Sequence, residues 1–142
     1  MKKIFVLLAV IGLAILGLAA CGAPAPGSGS IQRATPPSDY ASKTNPLAGN
    51  ADAIAKGKEQ YTAICQACHG TTGLGDGPAG TALTPKPANL QLTAKDASDG
   101  YMDWRITEGG TMAPFNSSMP AQKGILKEEQ IWQIISYVRT LK

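Results

Sequence analysis

Five consecutive residues, Cys65-Gln66-Ala67-Cys68-His69, combine two thiols and an imidazole at a spacing that allows a specific chemistry. Two cysteines so spaced can form thioether bonds with the two vinyl groups of one porphyrin. The imidazole that follows directly can then bind the iron from one side of the ring. His69 is the single histidine of the chain, and it lies at this place. The pattern therefore predicts a covalently attached c-type haem, with Cys65 and Cys68 as thioether residues and His69 as the proximal iron ligand.

Other interpretations of this pattern explain less of it. A structural zinc site takes about four ligands, and no second group of cysteines and histidines follows this one. A thioredoxin-like redox pair lies beside alternating strands and helices, a pattern that this chain does not show. A disulfide between Cys65 and Cys68 would suit an oxidising compartment, but it would leave His69 without a role.

The second axial position of the iron has several candidate ligands. Because the chain has one histidine, ligation by two of its own histidines is excluded. Methionine, a less common donor such as lysine, or an open position remain. Met112 and Met119 both lie in a loop-like region, residues 109–126, and a thioether ligand would raise the reduction potential of the haem. Met102 falls inside a predicted helix, where we assign it to packing.

The two cysteines lie at the C-terminal end of a predicted helix that spans residues 52–67. Apolar and small residues recur along it at helical spacing. Asn50 or Asp52 can cap its start, because either side chain can accept a hydrogen bond from the first free N–H groups. Gly70 lies where helices commonly stop. The helix therefore presents the two thiols and the imidazole close together.

Two further helices are predicted, separated by long loops that are rich in glycine and proline. One spans residues 98–108, from a cap at Ser98 or Asp99 to Gly109. The last spans residues 127–141. Its apolar face consists of Ile131, Ile134, Ile135, Val138 and Leu141. These elements make the fold class all-α.

The remaining large apolar residues and a proline-rich segment provide candidate walls for a haem pocket. A proximal imidazole normally has its second nitrogen bonded to an oriented acceptor. A backbone carbonyl of residues 83–90 is a candidate, because two prolines fix an extended path there. Plain core packing is an equal alternative for Trp104. The candidate pocket residues are Pro87, Leu90, Tyr101, Trp104 and Ile106.

The N-terminal residues 1–20 have the features of an export signal. Lys2 and Lys3 precede a run of about 17 apolar or small residues, which is short for a membrane span of roughly 20. The run ends at Leu18-Ala19-Ala20-Cys21, which resembles the bacterial lipobox, in which the cysteine becomes the N-terminus and carries acyl chains. With two cysteines bound to haem and Cys21 to lipid, no reactive thiol remains. The alternative is an uncleaved anchor helix, and either interpretation predicts an exported protein attached to the membrane.

Residues 21–50 are predicted to form a tether between the lipidated Cys21 and a domain of residues 51–142. Their glycine, proline and serine content shows no apolar periodicity and is typical of disordered linkers. A flexible chain of this length reaches about 30 Å. The alternative is a segment that becomes ordered on a partner protein, with Ile31, Tyr40 and Leu47 as anchors.

The charge of the chain excludes a role in nucleic-acid binding. The chain has 13 Lys and Arg residues against 10 Asp and Glu residues, and two of the 13 are Lys2 and Lys3, so 11 remain in the rest of the chain. Without those two lysines the protein is nearly neutral, and it has no basic stripe or run that would bind phosphates.

Several segments of residues 50–142 together carry a family resemblance. They are Cys65-Gln66-Ala67-Cys68-His69-Gly70, Gly75-Asp76-Gly77-Pro78, Pro85-Lys86-Pro87-Ala88-Asn89-Leu90, Trp104-Arg105-Ile106-Thr107-Glu108-Gly109-Gly110, Met119-Pro120-Ala121 and the helix after Leu126. With these segments the chain resembles class I mono-haem cytochrome c. The resemblance implies three to five helices around one covalent haem, and an electron carrier rather than an enzyme. In this family Met-Pro precedes the terminal helix by about this distance, which favours Met119 over Met112.

The lipobox, the proline-rich tether and residues 104–110 also resemble the mono-haem lipoprotein subunit of alternative complex III. Such complexes oxidise quinol and pass electrons to a periplasmic carrier or oxidase. This resemblance implies a lipid-anchored protein on the periplasmic or extracytoplasmic side of the cell membrane, with redox proteins as partners in an electron-transport chain. The alternatives are a free tethered electron shuttle, a haem enzyme or gas-binding domain with an open distal site, and a subunit whose haem stabilises an assembly.

Overall fold

The computed structural model describes residues 33–142, which form helices joined by long loops and contain no strand. The helices are α1 (Ser38–Ala41), α2 (Ala51–Gln60), α3 (Gln66–His69), α4 (Leu90–Asp96), α5 (Asp99–Glu108) and α6 (Glu128–Val138). A π-helical turn, Tyr61–Cys65, joins α2 to α3 without a break. The predicted all-α class is confirmed. In this part of the chain, no helix has both the length and the apolar character to span a membrane. The predicted signal segment and Cys21 lie outside the described residues.

The three helices predicted from the sequence are present with small changes at their ends. Asn50 caps α2, because its side-chain oxygen accepts a hydrogen bond of 2.9 Å from the backbone N–H of Ala53. Ser98 caps α5 in the same way, because its hydroxyl oxygen accepts a hydrogen bond of 3.1 Å from the N–H of Tyr101. The last helix ends at Val138, three residues before the predicted end, and turn-type hydrogen bonds follow it.

The core forms where α2 and the π-helical turn pack on α6. α2 can approach α6 closely because residue 57 is glycine, and a Cβ atom there would collide with the carbonyl oxygen of Gln133. One turn after Gly57 in α2, the side-chain amide of Gln60 donates a hydrogen bond of 2.7 Å to the side-chain oxygen of Gln133. The buried apolar residues are Tyr61, Ala97, Met102, Ile131, Trp132, Ile134, Ile135 and Val138.

The described part of the predicted tether packs on the helices. Residues 33–50 lie within the same compact unit as the rest of residues 33–142. Lys43 donates a hydrogen bond of 2.9 Å to the buried carboxylate of Asp103. Asn45 is 7% exposed, and its amide donates 3.1 Å to the carbonyl of Trp132 and 2.9 Å to the hydroxyl of Ser136. The prediction of a free tether is therefore wrong for residues 33–50. Their sequence lacks apolar periodicity, but polar side chains hold them on the helices.

Helix α4 has no counterpart among the predicted helices. Asn89 begins it, since its side-chain oxygen accepts hydrogen bonds of 2.9 Å and 3.2 Å from the N–H groups of Gln91 and Leu92. Its end is fixed from α6: the guanidinium of Arg139 donates to the carbonyls of Ala94 and Ala97. A helix of seven residues has too few turns to show a clear periodicity, so its position depends on these contacts.

Candidate functional site

The Cys65–His69 segment is held in place by the glycine-rich loop that follows it. The last carbonyls of a helix lack partners within the helix. Here the N–H of Gly75 donates 2.8 Å to the carbonyl of His69, and the N–H of Gly77 donates 3.2 Å to that of Cys68. Residue 77 must be glycine for this approach, because a Cβ atom would lie 2.7 Å from the carbonyl carbon of Cys68. The loop therefore fixes the backbone that carries both thiols and the imidazole.

The imidazole of His69 is oriented by the proline-rich segment, as predicted. Its Nδ1 lies 3.0 Å from the carbonyl oxygen of Ala88, within residues 83–90. With the proton on Nδ1, the ring donates this bond and leaves Nε2 with a lone pair for a metal. Burial lowers the pKa of His69, and the hydrogen bond to Ala88 opposes that effect in part. Both features suit a neutral imidazole that acts as a ligand.

A cavity of about 310 Å³ lies next to these three residues. Cofactor pockets typically have volumes of roughly 300–1,000 Å³ and mostly apolar walls. The cavity brings together most of the residues singled out in the sequence: Cys65, Cys68, His69, Pro87, Leu90, Tyr101, Ile106 and Met119. These residues come from the π-helical turn, α3, α4, α5 and the loops, so the chain surrounds the cavity on several sides.

Trp104 is the one predicted pocket residue that does not line the cavity. Its ring packs edge-on against Phe115, with 5.2 Å between centroids, and against Tyr101, with 6.1 Å. Phe115 and Tyr101 themselves line the cavity, so Trp104 supports them from behind. In this structure Trp104 therefore takes the packing position that was the equal alternative, and a direct contact with haem stays a prediction.

The two candidate methionines have different positions. Met119 lines the cavity, whereas Met112 does not. Met112 lies in a turn, where its carbonyl accepts hydrogen bonds from the N–H groups of Phe115 and Asn116. The backbone of Met119 is fixed to the end of α5, because its carbonyl accepts 2.9 Å from the N–H of Gly110. Of the two candidates, Met119 is therefore the one that lies in the same cavity as His69.

Several lining residues were not predicted as part of the site. The helix α6 contributes Ile134, Ile135 and Val138, which the periodic apolar face of the sequence could have indicated. Tyr61 is fully buried, and its hydroxyl donates 2.7 Å to the carbonyl of Gly70, directly after His69. Burial raises the pKa of Tyr61, so the phenol stays neutral as a donor. The remaining unpredicted members include Arg33, Met102, Arg105, Phe115 and Gln122.

The donor set of the cavity fits a covalently attached haem. The thiols of Cys65 and Cys68 are not joined in a disulfide, and burial raises the pKa of Cys65 to about 11. Mostly apolar walls suit a porphyrin, and one imidazole and one thioether suit its iron. Within residues 33–142, no group of three or more His, Cys, Asp and Glu side chains is arranged to hold a metal ion.

Comparisons with known proteins agree with this geometry. A solved structure of the Kuenenia stuttgartiensis reducing HAO-like protein complex contains a similar chain, with a TM-score of 0.56 and 27% sequence identity. The similarity covers 68% of this chain but 46% of that one, so this chain matches less than half of that relative. No individual curated protein matches. The cytochrome c family profile matches residues 54–142, which is more than half of the chain. The chain therefore belongs to the cytochrome c family.

Proposed function

We propose that this protein is a one-electron carrier with one haem, bound through thioethers to Cys65 and Cys68 and ligated by His69 and Met119. Its family implies covalent haem c and electron transfer. The observation that carries the proposal is that all four residues line one cavity. The number of haems follows from the sequence, which contains a single Cys-x-x-Cys-His pattern and a single histidine.

The protein residues tune and position the group that they bind. When bound, the haem supplies a couple between ferric and ferrous iron. The Ala88 carbonyl orients His69 and makes its imidazole a stronger donor. As an iron ligand, the thioether of Met119 would raise the reduction potential of the haem and would occupy the position that a substrate or gas needs. This arrangement favours a carrier over an enzyme with an open distal site.

The surroundings of the cavity add to this tuning. A hydrophobic shell controls solvent access and the local dielectric constant, and both affect the potential of a metal centre. Ile134, Ile135 and Val138 provide such a shell from α6. Gln122, which is 7% exposed, is one of the polar residues in this mostly apolar wall. We expect a potential set mainly by the methionine ligand and the apolar wall.

The carrier is proposed to be lipid-anchored through Cys21 on the extracytoplasmic side of the cell membrane. Support comes from the basic start, the short apolar run and the lipobox-like end of that run. Acyl chains on the new N-terminus, two or more, would give stable attachment, whereas one chain binds only marginally. In this proposal, the roughly dozen residues between Cys21 and Arg33, the first described residue, serve as the linker.

Redox proteins are the proposed partners, in a respiratory or photosynthetic electron-transport chain. The similar solved chain belongs to a protein complex, which supports a role beside other subunits. The lipobox, the tether and residues 104–110 favour a complex of the alternative complex III type, in which this subunit would relay electrons from quinol oxidation. Purification from native membranes would distinguish the two forms of the proposal: stable companions indicate a subunit, and a lone protein indicates a tethered shuttle.

A redox titration of the purified holoprotein, followed by its visible absorption, tests the function itself. We expect one reversible one-electron transition with a low-spin, six-coordinate spectrum in both oxidation states. A protein that binds carbon monoxide readily in the ferrous state would have an open distal site and would support the enzyme or gas-binding alternative. The absence of a reversible couple would contradict electron transfer.

A further inference from the structure

The guanidinium of Arg33 has an unusual environment at the wall of the haem cavity. Its Nε and Nη2 atoms are buried and have no hydrogen-bond partner among the described residues. The side chain lines the cavity, and its guanidinium carbon lies 5.5 Å from the ring centroid of Tyr101. A guanidinium stays protonated in proteins. Buried charge is costly unless it is paired, so these atoms require an acceptor inside the cavity.

A second guanidinium, that of Arg105, lines the same cavity. It makes one hydrogen bond to the described residues, from Nη1 to the carbonyl of Gly109 at 2.7 Å. Its carbon lies 3.4 Å from the ring centroid of Phe115. Because an arginine has five N–H donors, most of those on Arg105 remain available. Burial lowers the pKa of Arg105, as expected for a cation that is removed from water without an anion beside it.

The described wall of the cavity provides no anion to pair with these cations. Its lining includes Arg33, Lys86 and Arg105 but no aspartate and no glutamate. Arginine forks match carboxylates in geometry as well as in charge. A ligand of this cavity should therefore carry carboxylate groups at the end that faces the two arginines.

We propose that Arg33 and Arg105 bind the propionate carboxylates of the haem, and that Arg33 does so from outside the family domain. This inference rests on the proposed function, because haem supplies the two carboxylates. Arg33 precedes the matched residues 54–142 by 21 positions, so the contact belongs to the segment that this chain adds in front of the domain. The segment that follows it is held on α5 by Tyr40, whose hydroxyl donates 2.8 Å to the carboxylate of Glu108.

This arrangement gives the N-terminal segment an effect on the redox centre. A positive charge near the haem stabilises the reduced form, because reduction removes one positive charge from the iron. Burial strengthens this interaction, since water screens it less than at the surface. The segment in front of the domain therefore raises the reduction potential through Arg33 as well as packing on the helices.

The test compares three variants of the full-length holoprotein: Arg33→Gln, Arg33→Lys and Lys95→Gln. Lys95→Gln removes the same charge from an exposed position of α4 that does not line the cavity. We expect Arg33→Gln to lower the ferrous-to-ferric ratio at a fixed applied potential roughly tenfold, which equals about 59 mV for one electron. Arg33→Lys keeps the charge, so its ferrous-to-ferric ratio should stay within about threefold of the wild-type ratio, as should that of Lys95→Gln.

Resonance Raman spectra provide a second readout, since the propionate bending bands report on hydrogen bonding to these carboxylates. They should shift in Arg33→Gln and stay unchanged in Lys95→Gln. The inference is overturned if Arg33→Gln matches Lys95→Gln in both the reduction potential and the bending bands. It is also overturned if the reduction potential of Arg33→Lys is as low as that of Arg33→Gln. Failure of the proposed function is distinct, because it would appear in the wild type as missing covalent haem or a missing reversible couple.

Discussion

The Nδ1 atom of His69 lies 3.0 Å from the carbonyl oxygen of Ala88, and this contact joins two separate walls of the cavity. His69 ends α3, whereas Ala88 belongs to the proline-rich segment that leads into α4. The acceptor is a backbone atom, so its position is set by the path of the chain rather than by a side-chain rotamer. The orientation of the proximal ligand therefore depends on how well the proline segment packs against the domain.

Gly57→Ala should destabilise the protein although it removes a glycine from the interior of a helix. Such a change normally gains about 0.5–1 kcal/mol. Here the new Cβ atom would collide with the carbonyl oxygen of Gln133, so we expect a loss of about 1–3 kcal/mol in the free energy of unfolding. Chemical denaturation of the holoprotein measures it. Glu59→Ala, at an exposed position of α2, is the control and should stay within about 0.5 kcal/mol.

A stabilised Gly57→Ala variant would mean that α2 and α6 lie further apart than in this structure.

Asn45→Ala should show that the segment before the family domain contributes to stability. The change removes two buried hydrogen bonds to α6 and leaves the N–H of Leu47 without the 2.9 Å bond to the Asn45 side chain. We expect a loss of about 1–3 kcal/mol in the free energy of unfolding. Thr44→Ala, at the exposed neighbouring position, should have little effect. Equal stabilities for the two variants would indicate that residues 33–50 are not held on the domain in solution.

Asp99→Asn should lower stability at neutral pH and lose that effect in acid. The pKa of Asp99 lies below its usual range: burial, which raises it, is outweighed by the N–H of Asn45 and the guanidinium of Arg139. A carboxyl group with a lowered pKa contributes stability above its unfolded value of about 3.9, and that contribution disappears as the pH falls through the folded value. Since Asp99 and Arg139 are both partly exposed, we expect Asp99→Asn to lower the free energy of unfolding by about 1–2 kcal/mol at pH 7.

The measurement for Asp99 is a series of urea unfolding curves for the wild type and Asp99→Asn between about pH 7 and pH 3. The difference between the two proteins should shrink below about pH 4. Asp96→Asn, at an exposed position at the end of α4, is the control for the removal of one carboxylate. A difference that stays constant with pH would argue against a charged contact between Asp99 and Arg139.

The parts of the site that the sequence predicts are those with strong local signals. The Cys65–His69 pattern needs five residues, and capping by Asn50 or Ser98 needs only the next turn. Even the acceptor for the imidazole could be expected in the proline segment, because prolines fix the path of the backbone.

Features that depend on distant contacts were not visible in the sequence. Helix α4 has a single cap at Asn89, and Arg139 fixes its end from 45 residues away. Arg33 reaches the cavity only because residues 33–50 pack on the helices, which their disorder-like composition does not indicate. Trp104 shares α5 with four lining residues, Tyr101, Met102, Arg105 and Ile106, but its own ring packs on Phe115. Only the fold decides between these two directions.

Cys21→Ser should release the protein from membranes, since it removes the proposed site of acylation. Fractionation of cells that express the wild type and the variant measures this, with haem staining to identify the protein. Cys21→Ser leaves the residues of the cavity unchanged, so its visible spectrum should equal that of the wild type. Continued attachment of the variant would favour an uncleaved anchor helix or tight binding to a membrane partner.

The most direct test of the proposed centre is the weak far-red absorption band of the ferric protein, which arises from a methionine sulfur bound to iron. Met119 lines the cavity and Met112 does not, so the two make a matched pair of Met→Ala variants. We predict that Met119→Ala loses the band and has a lower reduction potential, whereas Met112→Ala keeps both nearly unchanged. A band that persists in Met119→Ala, or that is lost in Met112→Ala, would contradict ligation by His69 and Met119.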